Sequence, residues 1–279
     1  MEAYNLALVF VFGGLGLTTL SVYFFLSLRK EDKLQKIRSM SFKEEHRVFL
    51  QKTPHYKNLS DEDKEKIERS ILLFVHTKEF IGISFDASDE MKVIIAFYAC
   101  LLILNIETGN YYQSLKTIII YPHAVAINKI QNNGGIFSHE QFYIDGQSSH
   151  DTVVIIWDEA KSEAYHLRQD NVIIHEFTHI IDFMDGEIDG VPPIEKAKYN
   201  EWSRVLNSEF DKLNKVALKN KNWGKYELLG SYASTDEAEF FAVATERFFG
   251  SPDSLKENFP ELYSELKNFY KIDPTKLVV

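Results

Sequence analysis

Two histidines and a glutamate lie inside the apolar stretch of residues 171–186, NVIIHEFTHIIDFMDG. His175 and His179 are four residues apart, so on a helix both imidazoles lie on one face, about one turn from each other, and can bind the same metal ion. Glu176 is displaced around the helix and can reach a water on that metal instead. This set of residues predicts a zinc site that activates water. The alternative is a core helix whose polar groups are satisfied by hydrogen bonds.

The surroundings of this motif favour the metal. The helix is apolar on nearly every side, and burying two histidines and a glutamate without partners is strongly unfavourable. A bound cation removes that cost. Gly186 follows the apolar run at the position of a C-cap glycine, so we expect the helix to end there.

A catalytic zinc needs a third protein ligand and a position left for water. Residues 231–252, SYASTDEAEFFAVATERFFGSP, predict a second helix that can supply this ligand. Ser234 and Glu237 have the spacing of a capping box at its start, and Gly250 and Pro252 are expected to stop it.

Three carboxylates are candidates for completing the site. Glu239 is flanked by apolar residues, where an ionised carboxylate needs a cation, and it is the expected third ligand. Glu246 lies two turns further along the same face, so its spacing also allows a ligand, a carboxylate behind the ligands or a surface residue. Asp182 shares the face of the two histidines, and we expect it to be a hydrogen-bond partner near the metal or simply structural.

Two further helices are predicted in the first half of the chain. Residues 59–80 have apolar residues at helical spacing, and Ser60 with Asp63 has the pattern of a capping box. A second helix is expected to begin near Ser88 and to include the apolar run 93–104, which is too short to span a membrane and is better explained as a buried helix.

Two short β-branched segments predict strands. Residues 115–122 and 152–159 are bounded by turn residues. Between them, NNGG at 132–135 and DGQSS at 145–149 predict a hairpin region with loops. Together with helices that follow mostly after residue 170, these strands predict an α+β fold.

The N-terminal segment predicts a membrane anchor. Residues 3–28 carry no charge, and 26 helical residues at about 1.5 Å each exceed the roughly 30 Å hydrocarbon core of a bilayer. A run of basic residues follows this segment and only Glu2 precedes it, which predicts an uncleaved anchor with its C-terminal side in the cytoplasm. We therefore expect a transmembrane helix at 1–28, a juxtamembrane helix or linker at 29–58, and one large cytoplasmic domain at 59–279.

Composition excludes some classes of protein. A chain of 279 residues that is 45% hydrophobic can bury a sizeable core and is not disordered. The formal charge of -10, without a basic cluster in the body of the chain, argues against a nucleic-acid partner. The single cysteine, Cys100, cannot form an internal disulfide and is expected to be buried.

Several blocks of the sequence, taken together, resemble a known family. HEFTHIIDFMDGEIDGVPP, the preceding VVIIWDEA, and SYASTDEAEFFAVATERFF with FPELYSELKNFYKIDP are similar to the Mlc titration factor A family of zinc peptidases. The similarity runs from about residue 60 to 275. It implies a gluzincin-type metallopeptidase domain whose catalytic core is similar to that of anthrax lethal factor.

The resemblance also assigns roles to residues. It implies that His175, His179 and Glu239 bind zinc, that Glu176 is the catalytic glutamate, and that Tyr232, seven residues before the ligand glutamate, lies near the metal. The implied activity is aminopeptidase-like cleavage of short peptides, and the implied partner is a regulatory protein such as a repressor. The predicted anchor departs from the best-known members, which are soluble, so a tethered protein that sequesters a transcription factor is the alternative expectation.

Overall fold

The computed structural model describes residues 2–106, 112–123, 151–219 and 221–278, and within the first helix it describes side chains at 12 and from 14 onward. The chain forms two compact units, Met1–Ser41 and Phe42–Val279. The first unit contains helix α1 (Glu2–Arg38). The second contains all the other elements described below.

Helices make up most of the second unit. In chain order, its helices and strands are α2 (Glu44–Leu50), α3 (Pro54–Lys57), α4 (Asp61–Thr77), β1 (Glu79–Gly82), α5 (Asp89–Leu102), β2 (Thr117–Tyr121), β3 (Thr152–Ile156), α6 (Trp157–Tyr165), α7 (Val172–Asp182), α8 (Lys196–Lys219), α9 (Glu237–Gly250), α10 (Pro252–Asn258) and α11 (Pro260–Tyr270).

The expected α+β fold is wrong. The described residues form a predominantly helical structure with one small parallel sheet in the order β1-β2-β3. Parallel neighbours need a long crossover between them, and α5 lies in the connection from β1 to β2. Helix α5 therefore separates β1 from β2 along the chain. The predicted hairpin region at 132–149 lies outside the described residues.

The predicted transmembrane helix and the membrane localisation are also wrong. Among the residues that the structure describes, no helix is long and apolar enough to cross a membrane. Charged residues occupy much of the helix from Arg29 to Arg38.

Local sequence signals placed several elements correctly. Ser60 caps α4, with its side chain accepting from the Asp63 amide, and Ser88 caps α5 by accepting from the Met91 amide. The whole stretch Val93–Leu102 is buried, which confirms a core helix there. The predicted strands at 115–122 and 152–159 contain β2 and β3. The predicted domain boundaries at residues 28 and 58 stay predictions.

The core of the second unit positions the helices that carry the candidate site. Helix α5 packs against both α4 and α7, and α7 also packs against β3 and α9. Phe177 of α7 makes ring contacts with Phe74 and Tyr112. Because the apolar side chains of α7 pack against these elements, the helix cannot rotate, and the direction of its polar side chains is fixed.

Candidate metal centre

Helix α7 begins and ends at residues that suit those positions. The Asn171 side chain caps it by accepting from the Ile174 amide at 3.1 Å. Helix α7 ends at Asp182 with Phe183 as its C-cap, which is earlier than the predicted end at Gly186. Gly186, with φ of +100°, instead caps the 3₁₀ turn Phe183–Asp185 that follows. Within the helix, His175 and His179 point to the same side, with their Nε2 atoms 3.2 Å apart.

Helix α9 begins two residues later than the capping-box prediction. Its N-cap is Asp236, in an extended conformation, whose side chain accepts from the Glu239 amide at 2.8 Å. Ser234 instead ends a separate 3₁₀ turn, Tyr232–Ser234, so the predicted Ser234 cap is wrong. The predicted end at Gly250 is confirmed. Ser234 belongs to the 3₁₀ turn, whereas Asp236 has the extended backbone that an N-cap residue adopts.

The two helices bring the predicted ligands together. Glu239 Oε2 lies 3.0 Å from His175 Nε2 and 3.5 Å from His179 Nε2. In a tetrahedral site with bonds of about 2.0–2.1 Å, neighbouring ligand atoms lie roughly 3.3 Å apart. The three donor atoms therefore have the separations that one small divalent cation requires.

The electrostatics of this group also fit a cation. Glu239 Oε2 is buried and has no hydrogen-bond partner, so its close approach to the imidazoles is an ionic contact without hydrogen-bond geometry. Burial raises the pKa of the Glu239 carboxyl, but the two imidazoles outweigh burial and hold that pKa well below its usual range. Burial lowers the pKa of His175, and Glu239 and Glu246 overcome this effect and raise it to about 10. The site thus favours a positive charge between the histidines and Glu239.

Glu246 lies on the other side of the His175 ring. Its Oε1 accepts from His175 Nδ1 at 2.6 Å, and its Oε2 accepts from the Asn171 amide at 2.8 Å. Because a carboxylate can only accept, this contact favours, in the neutral ring, the tautomer with its proton on Nδ1, which leaves the Nε2 lone pair on the side of Glu239. Of the roles that the sequence left open for Glu246, its contacts fit a carboxylate behind His175.

Glu176 and Tyr232, the two predicted catalytic residues, belong to different elements. Glu176 follows His175 on α7 and is partly exposed. The Tyr232 ring lies against the His175 ring, with centroids 5.8 Å apart and planes tilted by 39°. His179 and Glu239 keep 23% and 19% of their side-chain surface exposed, although the Oε2 atom of Glu239 is itself buried.

Asp182 does not join the ligands. It is fully buried, its Oδ2 accepts from the Gly190 amide at 2.9 Å, and burial raises its pKa to about 7. The structural role that the sequence analysis allowed is therefore the one that its contacts support.

A second group of possible ligands, Glu45, His46 and Asp89, is poorly suited to a metal. Glu45 and Asp89 are exposed, and Lys43 Nζ lies 3.1 Å from Glu45 Oε1. A lysine paired with one of the carboxylates competes with a cation.

Sequence reasoning overlooked two residues that organise the site. Asn171 caps α7 and its backbone amide binds Glu246, and an Asn directly before an apolar helical run is a recognisable capping signal. Arg247, next to Glu246, is buried and ion-paired. Nothing local distinguishes Arg247 from a surface arginine, because its partners come from distant parts of the chain.

Comparison with known proteins identifies the family of the chain. The sequence profile described as glucose-regulated metallo-peptidase M90 matches residues 27–271. An uncharacterized protein of Synechocystis sp. is 33% identical over 81% of this chain and 83% of its own length. Proteins named Mlc titration factor A from Pectobacterium atrosepticum and Escherichia fergusonii are 30% and 25% identical, over 77% and 79% of this chain and 82% and 83% of their own lengths. The chain therefore belongs to the glucose-regulated metallopeptidase M90 family.

Proposed function

We propose that this metallopeptidase-family protein is a zinc-dependent peptidase of the gluzincin type. His175, His179 and Glu239 would hold the zinc ion. The observation that carries the proposal is the meeting of these three donor atoms at 3.0–3.5 Å, with Glu176 of the HEFTH motif on the same helix as the two histidines. Zinc is proposed over magnesium or calcium because two imidazoles and one carboxylate form a nitrogen-rich donor set.

The residues of the chain have distinct parts in peptide hydrolysis. When bound, zinc supplies Lewis acidity that stabilises negative charge developing on oxygen. Glu176 takes a proton from the attacking water and delivers it to the leaving amine. Tyr232 donates a hydrogen bond to the oxyanion of the tetrahedral intermediate. Glu246 keeps the His175 ring in the orientation and tautomer that a ligand needs.

The family resemblance supports aminopeptidase-like cleavage of short peptides as the reaction. A second function is supported by the name titration factor that the relatives carry: the chain would bind a regulatory protein. The two functions differ in what they require of Glu176. A binding protein gains nothing from a general base beside a metal, whereas hydrolysis depends on it.

The decisive experiment compares the full chain with its Glu176→Gln variant. We expect both to bind one zinc ion per chain, and only the wild type to cleave a diverse pool of short peptides, with a loss of about 10²–10⁴-fold in the variant. Glu237→Gln, at the exposed start of α9, is the matched control and should retain activity. If wild type binds zinc yet cleaves no peptide, the binding function replaces the peptidase function.

A further inference from the structure

Arg247 is a buried arginine on α9, directly after Glu246. Its Nε donates to the Leu228 carbonyl at 2.6 Å, and its Nη1 donates to the Gln169 carbonyl at 2.9 Å. Nη1 also lies 2.8 Å from Asp170 Oδ1. A buried guanidinium needs such partners, and here they come from two segments that are far apart in sequence.

Both segments lead directly into the candidate site. Gln169 and Asp170 precede Asn171, the N-cap of α7, which carries the two histidines. Leu228 ends the 3₁₀ turn Gly224–Leu228, four residues before Tyr232. The Arg247 side chain, on the same helix as Glu239, therefore binds both the segment that precedes α7 and the segment that precedes Tyr232.

The face of α9 that carries Arg247 packs closely against the backbone of the segment before α7. A Cβ atom at Gly250 would lie 2.2 Å from the Arg168 carbonyl oxygen and 2.8 Å from that of Gln169. Gly250 is three residues after Arg247, so both lie on one face of the helix. The distance between α9 and the start of α7 is thus fixed by a hydrogen-bonded arginine and a close backbone contact.

Arg247 also affects the charge behind His175. Among the described residues, the ion pairs of Glu246 are with His175 and with Arg247, whose Nη1 lies 3.8 Å from Glu246 Oε2. Another carboxylate, that of Glu163, lies close by and accepts from the Val172 amide at 2.7 Å. Burial is the main cause of the raised pKa of Glu163, and the negative charge of Glu246 is a smaller one. The buried Glu246 therefore depends on Arg247 for a permanent positive charge.

We propose that Arg247 is a positioning residue for the metal centre: by holding Glu246 and the segment before α7, it keeps the His175 side chain oriented for metal binding. This inference rests on the proposed zinc site. It predicts that Arg247 contributes measurably to the metal affinity, although it contacts none of the three proposed ligands. Carboxylates that orient a ligand histidine typically contribute 10–100-fold to metal affinity.

The test measures the zinc dissociation constant of the full chain by competition with a chelating indicator. The variants are Arg247→Met, which keeps the volume but removes the charge and donors, Glu246→Gln, and the double variant. Arg204→Met is the matched control, because Arg204 forms exposed ion pairs with Glu201 and Glu261. Unfolding of the metal-free proteins is followed in parallel, so that loss of stability and loss of affinity are measured separately.

We expect Arg247→Met and Glu246→Gln each to weaken zinc binding by about tenfold or more, and the double variant to be little weaker than either single variant, because both act through the His175 hydrogen bond. Wild-type affinity in Arg247→Met, or losses that simply multiply, would overturn the inference. If Arg247→Met does not fold, Arg247→Lys replaces it, with weaker binding expected and wild-type binding contradicting the proposal. Absence of zinc binding by the wild type would instead refute the proposed function.

Discussion

At the scale of single residues, the site depends on which side of the His175 ring each neighbour occupies. Glu239 approaches Nε2, Glu246 binds Nδ1, and the Tyr232 ring lies against the imidazole. Each position allows a different contribution: metal binding, orientation of the ligand and donation of a hydrogen bond. The three residues all contact His175, but each has a different proposed role.

Tyr232→Phe is expected to reduce kcat by about 10²–10³-fold, because removal of one oxyanion donor typically has this effect. Zinc content and KM should stay near their wild-type values, since the phenol oxygen is needed only when charge develops. Steady-state kinetics on a short peptide with metal analysis would measure this. Tyr199→Phe, at a half-exposed tyrosine of α8, is the control. A wild-type kcat in Tyr232→Phe would exclude Tyr232 from the reaction.

At the scale of elements, the connection after α7 joins the two helices of the site. Asp182, at the end of α7, accepts from the Gly190 amide, and Trp202 Nε1 of α8 donates to the Gly190 carbonyl at 3.0 Å. A Cβ at Gly190 would lie 2.5 Å from the carbonyl oxygen of Glu237, in the first turn of α9. Glu239 follows two residues later, so this close contact affects a proposed ligand.

Gly190→Ala is therefore expected to destabilise the protein more than Gly230→Ala. Both glycines have φ of +75°, so the conformational strain of an alanine is the same, but no atom lies within 4 Å of a Cβ at Gly230. The difference in free energy of unfolding should be about 1–3 kcal/mol, the usual cost of overpacking. Denaturant unfolding of both variants measures it. Equal destabilisation would show that the contact with Glu237 relaxes at little cost.

At the scale of the whole molecule, the buried His55 connects α3, near the start of the second unit, to the C-terminal end of α9. His55 of α3 donates from Nε2 to the Phe249 carbonyl at 3.0 Å, and its ring packs edge-on against Tyr98. Burial lowers the pKa of His55 below its ordinary value of about 6.5, and the hydrogen bond to the Phe249 carbonyl only partly opposes this effect. The folded protein therefore keeps this ring neutral.

The stability of the protein should consequently depend on pH through His55. Above pH 6.5 the contribution is fully present. As the pH falls below about 6.5 toward the lower folded-state pKa, the unfolded chain takes up the proton first, and stability falls by up to about 1.4 kcal/mol per pH unit. His55→Gln should show a shallower dependence than the wild type in denaturant unfolding between pH 7 and 5, and His166→Gln, at an exposed histidine, should match the wild type. Parallel pH curves for wild type and His55→Gln would contradict this.

Much of the secondary structure could be predicted because its signals are local. Ser60, Ser88 and Gly186 mark helix ends through hydrogen bonds or backbone angles within a few residues. Local competition also explains the errors: Asp236 caps α9 in place of Ser234, and the predicted helix at 59–80 ran past Thr77 into the strand that begins at Glu79. The α+β expectation failed because the strands form only one small sheet, whereas helices make up most of the described residues.

By itself the sequence determined the HEFTH pair of histidines on one helix and nominated Glu239, since residue type, spacing and an apolar setting limit what such residues can do. Only the tertiary structure decided that Glu239 and Glu246, which share a helix face, approach opposite nitrogens of His175. Only the tertiary structure brought Arg247 to the segment before α7. The physical reason is that these roles depend on distances between elements far apart in the chain, which the packing of α7 against α9 sets.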